Sequence, residues 1–124
     1  MSAEILYDPH NHLWFRDDGE GVLSVGATKS ILSIIGAPAF TRLPEAGLAF
    51  AADEEIGSLE TDKTAVAIAL PFAGTVAAAF PPADAAALPA AADGDMPLLS
   101  VRPAVTDWRQ GLVTADDYLA LSAP

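Results

Sequence analysis

The 124-residue sequence predicts a mostly β protein with two short helices, and three features of its pattern carry that reading. Short apolar and β-branched runs recur between clusters of Gly, Pro, Asp and Glu, as strands closed by turns do. Only two stretches, near 28–36 and 114–121, combine helical spacing with a capping residue. Between them, the stretch from Ile56 to Gly74 sets two apolar runs around a polar tip, Glu60-Thr61-Asp62-Lys63, which is how a hairpin with a solvated turn is written.

Taken in order, Leu13–Arg16 and Gly21–Gly26 read as an antiparallel pair around Asp17-Asp18-Gly19-Glu20, a turn of residues that tolerate unusual backbone angles. Thr28 can cap a helix in which Ile31, Ile34 and Ile35 share a face and Gly36 supplies the stop. Lys29, in its first turn, is expected to face solvent. Ala39–Leu43 alternates like a strand with one buried face, and Pro44–Gly47 ends it in a turn. Leu48–Ala51 is a further short strand before the acidic turn at Asp53, Glu54 and Glu55. The hairpin follows, and Thr75–Phe80 continues the β pattern until Pro81-Pro82 closes it. Residues 83–95, mostly Ala with Pro89 and Gly94, predict a helical turn or a loose surface loop without chemistry. Pro97–Arg102 reads as a last strand. Thr114 then caps a closing helix with acids in its first turn and an apolar stripe at Tyr118, Leu119 and Leu121. Trp108 is expected to cover that helix, and Trp14 and Phe15 to be core and surface-cover aromatics.

Composition narrows the function. The length suits one domain over residues 1–124, and the absence of cysteine removes thiol catalysis, zinc thiolate sites and disulfides together. A formal charge of −11 opposes binding to nucleic-acid phosphates and anionic membranes and favours basic protein partners. The opening, Met1 to Asp8, has an acid where a signal peptide needs a basic start, so a cytoplasmic location is expected. Thr64 to Ala83 is uncharged, but Pro71, Gly74, Pro81 and Pro82 break it, which favours buried strands over a membrane span. Asp8, His10 and His12 lack a third ligand at a recognisable spacing, so a structural role is expected for His12. No carboxylate pair, serine motif or phosphate loop supports an enzyme.

Lys63 stands out because the chain has only one other lysine, Lys29, and because no charge follows it until Asp84. On the residues alone it is either an attachment point or a plain turn lysine, with Glu60 and Asp62 as solvated turn acids.

The order of elements and several motifs resemble the H protein of the glycine cleavage system, a lipoyl-carrier family. Tyr7, His12-Leu13-Trp14-Phe15, Gly26 with Thr28, Gly36 and Leu43-Pro44-Glu45-Ala46-Gly47 are similar to that family's opening half. Glu60-Thr61-Asp62-Lys63 stands at its attachment motif and is also close to the lipoyl domains of 2-oxoacid dehydrogenases. The resemblance implies a lipoyl-domain-like barrel-sandwich hybrid of two small antiparallel sheets. It further implies lipoic acid covalently attached to Lys63, with Glu60, Asp62 and Gly74 read by a lipoate-attaching enzyme. The chain would be a non-catalytic carrier passing an aminomethyl group and electrons among glycine decarboxylase, aminomethyltransferase and dihydrolipoyl dehydrogenase. Where the family has Ala-x-Ser-Asp after the lysine, this chain has Thr64-Ala65-Val66-Ala67. That change also suits an H-like lipoate-binding protein of cytoplasmic sulfur oxidation, working with a heterodisulfide-reductase-like complex. A third alternative is an unlipoylated β-sandwich interaction module.

Overall fold

The computed structural model describes residues 4–122 and divides them into nine strands and two α-helices. The strands are β1 (Ile5–Asp8), β2 (Leu13–Gly19), β3 (Val22–Ala27), β4 (Phe40–Arg42), β5 (Ala49–Phe50), β6 (Glu55–Glu60), β7 (Ala65–Ala69), β8 (Gly74–Ala79) and β9 (Leu99–Pro103). Helix α1 spans Lys29–Ile35 and helix α2 spans Ala115–Ser122. One sheet has the order β1-β2-β3-β9-β8-β5 and the other β4-β6-β7, with every pairing antiparallel. They stack as an open sandwich and do not close into a barrel, and the two are unequal rather than both small.

Alternation builds the core. Leu13 and Phe15 of β2, Leu23 and Val25 of β3, Val76 of β8, and Leu99 and Val101 of β9 point to one face, where Leu59 of β6 and Ile68 of β7 meet them from the smaller sheet. The opposite face of β2 carries Trp14, which forms a separate cluster with Tyr7 of β1 and Tyr118 of α2. Trp14 and Phe15 are thus both core residues, each 1% exposed, on opposite sides of one strand.

Several boundaries differ from those expected. Strand β2 runs on to Gly19, and the turn falls at Glu20-Gly21. Both residues have positive φ, 58° and 76°, the primed hairpin geometry that glycine favours. Strand β1, unassigned from sequence, pairs residue for residue with β2. Strand β4 has no buried side chain: Phe40 is 48% exposed and lies under the Arg42 guanidinium. Among the described side chains of α2 only Tyr118 is buried, whereas Leu119 and Leu121 are 60% and 65% exposed. Trp108 does not cover α2 but meets Phe72 edge to face and packs on the main core. Ala85–Ala90 forms a 3-10 segment capped by Asp84, with Leu88 buried. Helix α1 has the expected ends, with Thr28 Oγ1 accepting from Ile31 N, Gly36 N closing on Leu32 O and Lys29 exposed, but its inward side is not the expected one: Leu32 is buried and Ile34 is 74% exposed.

A polar cluster ties the first hairpin together. Asp18 accepts from the Ser24 hydroxyl and from Arg16 Nε at 2.8 Å, and Arg16 also donates to Ser24 Oγ at 3.1 Å. Burial pushes the Asp18 carboxyl up, but the hydrogen bonds from Ser24 and Arg16 outweigh it and leave the group below its ordinary value. A carboxyl lowered in the folded state contributes stability above its unfolded value, and that contribution is lost as pH falls through the folded one. Asp18→Asn is therefore expected to flatten the acid limb of stability. Urea unfolding at about pH 7 and about pH 3 checks this: the wild type should lose more stability than the variant over that interval.

Candidate functional site

The hairpin of β6 and β7 has the register Leu59↔Val66 and Glu60↔Ala65, and Thr61 N donates to Thr64 O at 2.8 Å to close the turn. Thr61 Oγ1 accepts from Lys63 N at 3.2 Å and from Thr64 N at 3.1 Å. A threonine hydroxyl thus takes the backbone donors of the tip, the usual work of such a side chain in a turn. Asp62 and Lys63 remain exposed, and Lys63 makes no ion pair among the described residues.

Glu60 ends β6 beside the tip, opposite Phe40 of β4. Its carboxylate accepts from Arg42 Nε at 2.6 Å, and the Arg42 guanidinium lies 5.5 Å from the Phe40 ring centroid. Because the Arg42 side chain is 70% exposed, such a pair contributes at most about 1 kcal/mol to folding, so its effect is to orient Glu60. Phe40, Arg42 and Thr61 had not been singled out for this role. Thr61 was legible from its place two residues before the lysine, whereas Arg42 reaches Glu60 only through strand pairing.

Glu60, Asp62 and Lys63 therefore gather on one hairpin end, and Gly74 does not. Gly74 opens β8 in the larger sheet, paired with Phe50 and Pro103. A Cβ there would fall 2.5 Å from Arg102 O and 3.1 Å from Phe50 Cζ, so packing alone requires glycine.

The opening turn engages the ring of His12 and the backbone of His10. Asp8 accepts from His10 N and Asn11 Nδ2, and His12 Nδ1 lies 2.9 Å from the Tyr118 hydroxyl. Among the described residues no three of His, Asp and Glu gather as metal ligands, and no helix is long and apolar enough to cross a membrane.

Two stacked antiparallel sheets with an exposed primary amine and neighbouring acids at a hairpin tip have the architecture of a carrier domain of the lipoyl type. Comparison with known proteins identifies the kind. Residues 5–81 match the family described as glycine cleavage H-protein. The chain is 33% identical over 122 residues to the glycine cleavage system H protein of Neisseria meningitidis serogroup C (strain 053442), covering 95% of this chain and 93% of that one. It is 31% identical over 120 residues to that of Chromobacterium violaceum, with the same coverage of each. A crystal structure of a glycine cleavage system H protein from Mycobacterium marinum superposes with a TM-score of 0.80 at 25% identity, covering 97% of both chains. The chain belongs to the glycine cleavage H-protein family, whose members carry lipoate covalently on a lysine and are carriers, not enzymes.

Gly74→Ala should lower stability by about 1–3 kcal/mol, the usual cost of forcing a group into packed backbone, read as a shift in the urea midpoint. If packing is the whole role of Gly74, the folded variant should be lipoylated at the wild-type rate.

Proposed function

We propose that Lys63 is the lipoyl-attachment residue and that residues 1–124 act as one carrier domain in glycine cleavage. The observation that carries this reading is the position of Lys63: an exposed amine on a turn held by Thr61, above strands rooted in the core. The other lysine fits less well, since Lys29 Nζ lies 3.2 Å from Pro89 O and the residue begins α1.

The residues at the tip suit an amide-linked arm. A carrier needs a precisely rooted but otherwise unencumbered attachment point, which a tip on rigid strands supplies. Lipoate, once attached, supplies a dithiolane that accepts a group and two electrons together. The chain's own residues hold the root and present it. Glu60, oriented by Arg42, and Asp62 give the lipoate-attaching enzyme two carboxylates on either side of Thr61, while Gly74 acts through the packing of β8. The negative charge of the whole chain favours basic docking surfaces on glycine decarboxylase, aminomethyltransferase and dihydrolipoyl dehydrogenase. A cytoplasmic location accords with that set of partners.

Lys63→Arg keeps a cation but removes the acylatable amine. Intact mass after co-expression with a lipoate-attaching enzyme should show one lipoyl group on the wild type and none on the variant, with the urea midpoint unchanged. The variant should not support glycine cleavage in a reconstituted system. Lipoylation of the variant at Lys29 would overturn the assignment.

A further inference from the structure

Among its described side chains, helix α2 buries one against the sandwich. Tyr118 is 2% exposed and stacks on Tyr7, with ring centroids 4.7 Å apart and planes inclined by 10°, while Leu119 and Leu121 project outward. Its hydroxyl sits between two partners, Thr28 Oγ1 at 2.8 Å and His12 Nδ1 at 2.9 Å. Thr28 is fully buried, and its oxygen also accepts from Ile31 N as the cap of α1.

The direction of this chain of hydrogen bonds follows from counting protons. The Thr28 hydroxyl has one hydrogen, and among the described residues the Tyr118 oxygen is the only acceptor for it. Thr28 therefore donates to Tyr118, Tyr118 donates to His12 Nδ1, and His12 carries its own proton on Nε2. The order runs from the α1 cap, through the α2 tyrosine, to a histidine in the β1–β2 turn. Of the three side chains, only the imidazole can take up a proton and become a cation.

We propose that His12 is a pH-sensitive catch on α2. Imidazolium has no acceptor, so a proton added at Nδ1 must point at the Tyr118 oxygen, and the tyrosine proton must turn to Thr28 Oγ1. The Thr28 hydrogen is then left in a fully buried site with no acceptor, which loosens the seat of Tyr118 and with it α2. Loosening α2 also removes the Leu121 wall of the adjoining cleft, about 430 Å³ and lined by Pro9, His12, Ser30, Ser33 and Ile34. Other titratable or charged groups stand on the elements around His12, among them Asp116 and Asp117 in the first turn of α2 and His10 in its own turn. Asp8, at the end of β1, accepts from His10 N and Asn11 Nδ2. On β1, beyond Tyr118, Tyr7 donates to Asp93, which also accepts from Lys29 N at the start of α1. Burial first, and then this bond to Asp93, push the Tyr7 phenol well above its ordinary range, so it stays neutral.

Asparagine at position 12 tests the proposal. Its Oδ1 can accept from Tyr118 where Nδ1 did, it does not titrate, and it tolerates the left-handed backbone, φ 56°, that His12 adopts. Amide hydrogen exchange of α2, normalised to the intrinsic rate at each pH, is measured from about pH 7.5 to about pH 5.5 on the full chain. Protection of α2 should fall about tenfold in the wild type, while β3 and β9 keep theirs, and should stay constant in His12→Asn. Nitrogen chemical shifts of the wild-type imidazole at neutral pH should report the Nε2–H tautomer. An Nδ1–H tautomer, constant α2 protection in the wild type, or an equal fall in both proteins would overturn the proposal.

Discussion

The presentation of Lys63 depends on the burial of Leu59 and Ile68. These side chains leave the hairpin on its inner face, each 2% exposed, and join the core formed by the larger sheet. Burying a side chain of that size is worth about 1.5–3 kcal/mol, so the two together outweigh the surface pair of Arg42 and Glu60 several-fold. The hairpin is held by its root, and a root fixed in this way leaves the tip free of structural duties. Threonine rather than a charged residue arranges the turn, so neither Asp62 nor Lys63 has to spend its charge on the local fold.

A second constraint comes from β2, which buries both of its faces. Phe15 fills the sandwich, and Trp14 fills the opposite side, where its indole lies across the position a Cβ of Gly26 would occupy. Glycine at position 26 is the condition for that packing, because its strand partner is Trp14 itself. The Trp14 face is covered by Tyr118 of α2 together with Tyr7, which comes from β1 at the edge of the same sheet. The backbone bridge between Tyr7 and Val113 brings the chain back to this face and delivers Tyr118 onto Tyr7. Strand β1 and helix α2 are thus fastened together around Trp14, one by pairing with β2 and the other through Tyr118.

Local pattern exposed much of this and missed what depends on distant pairing. The hairpin tip, the cap at Thr28, the stop at Gly36 and the final helix were readable because each is specified by residues within a few positions of itself. Strand β1 was not readable, since four residues carry no period that distinguishes a strand from a lead-in. The stripe of α2 was read too broadly: Tyr118, Leu119 and Leu121 span more of the helix circumference than the narrow side that meets β1. Trp108 was misplaced because its neighbour Phe72 is brought to it by the pairing of β8 with β9, which no local spacing encodes. At the site, Glu60, Asp62 and Lys63 were visible together, whereas the Arg42 contact needs the register of β4 on β6.

The two halves of the design follow from how unequal these energies are. Apolar burial supplies the stability and is concentrated in residues that face the sandwich or the Trp14 cluster. Exposed ion pairs and turn hydrogen bonds contribute little to it, so the residues at the tip can serve recognition without a large effect on folding. A carrier benefits from that separation, because its attachment residue has to fit the sites of several enzymes in turn while its root stays still. The uncharged run after Lys63 has the same origin. Alternate residues of β7 must enter the core, and those facing outward beside Glu60 and Ser58 are alanines, which leave the approach to the lysine open.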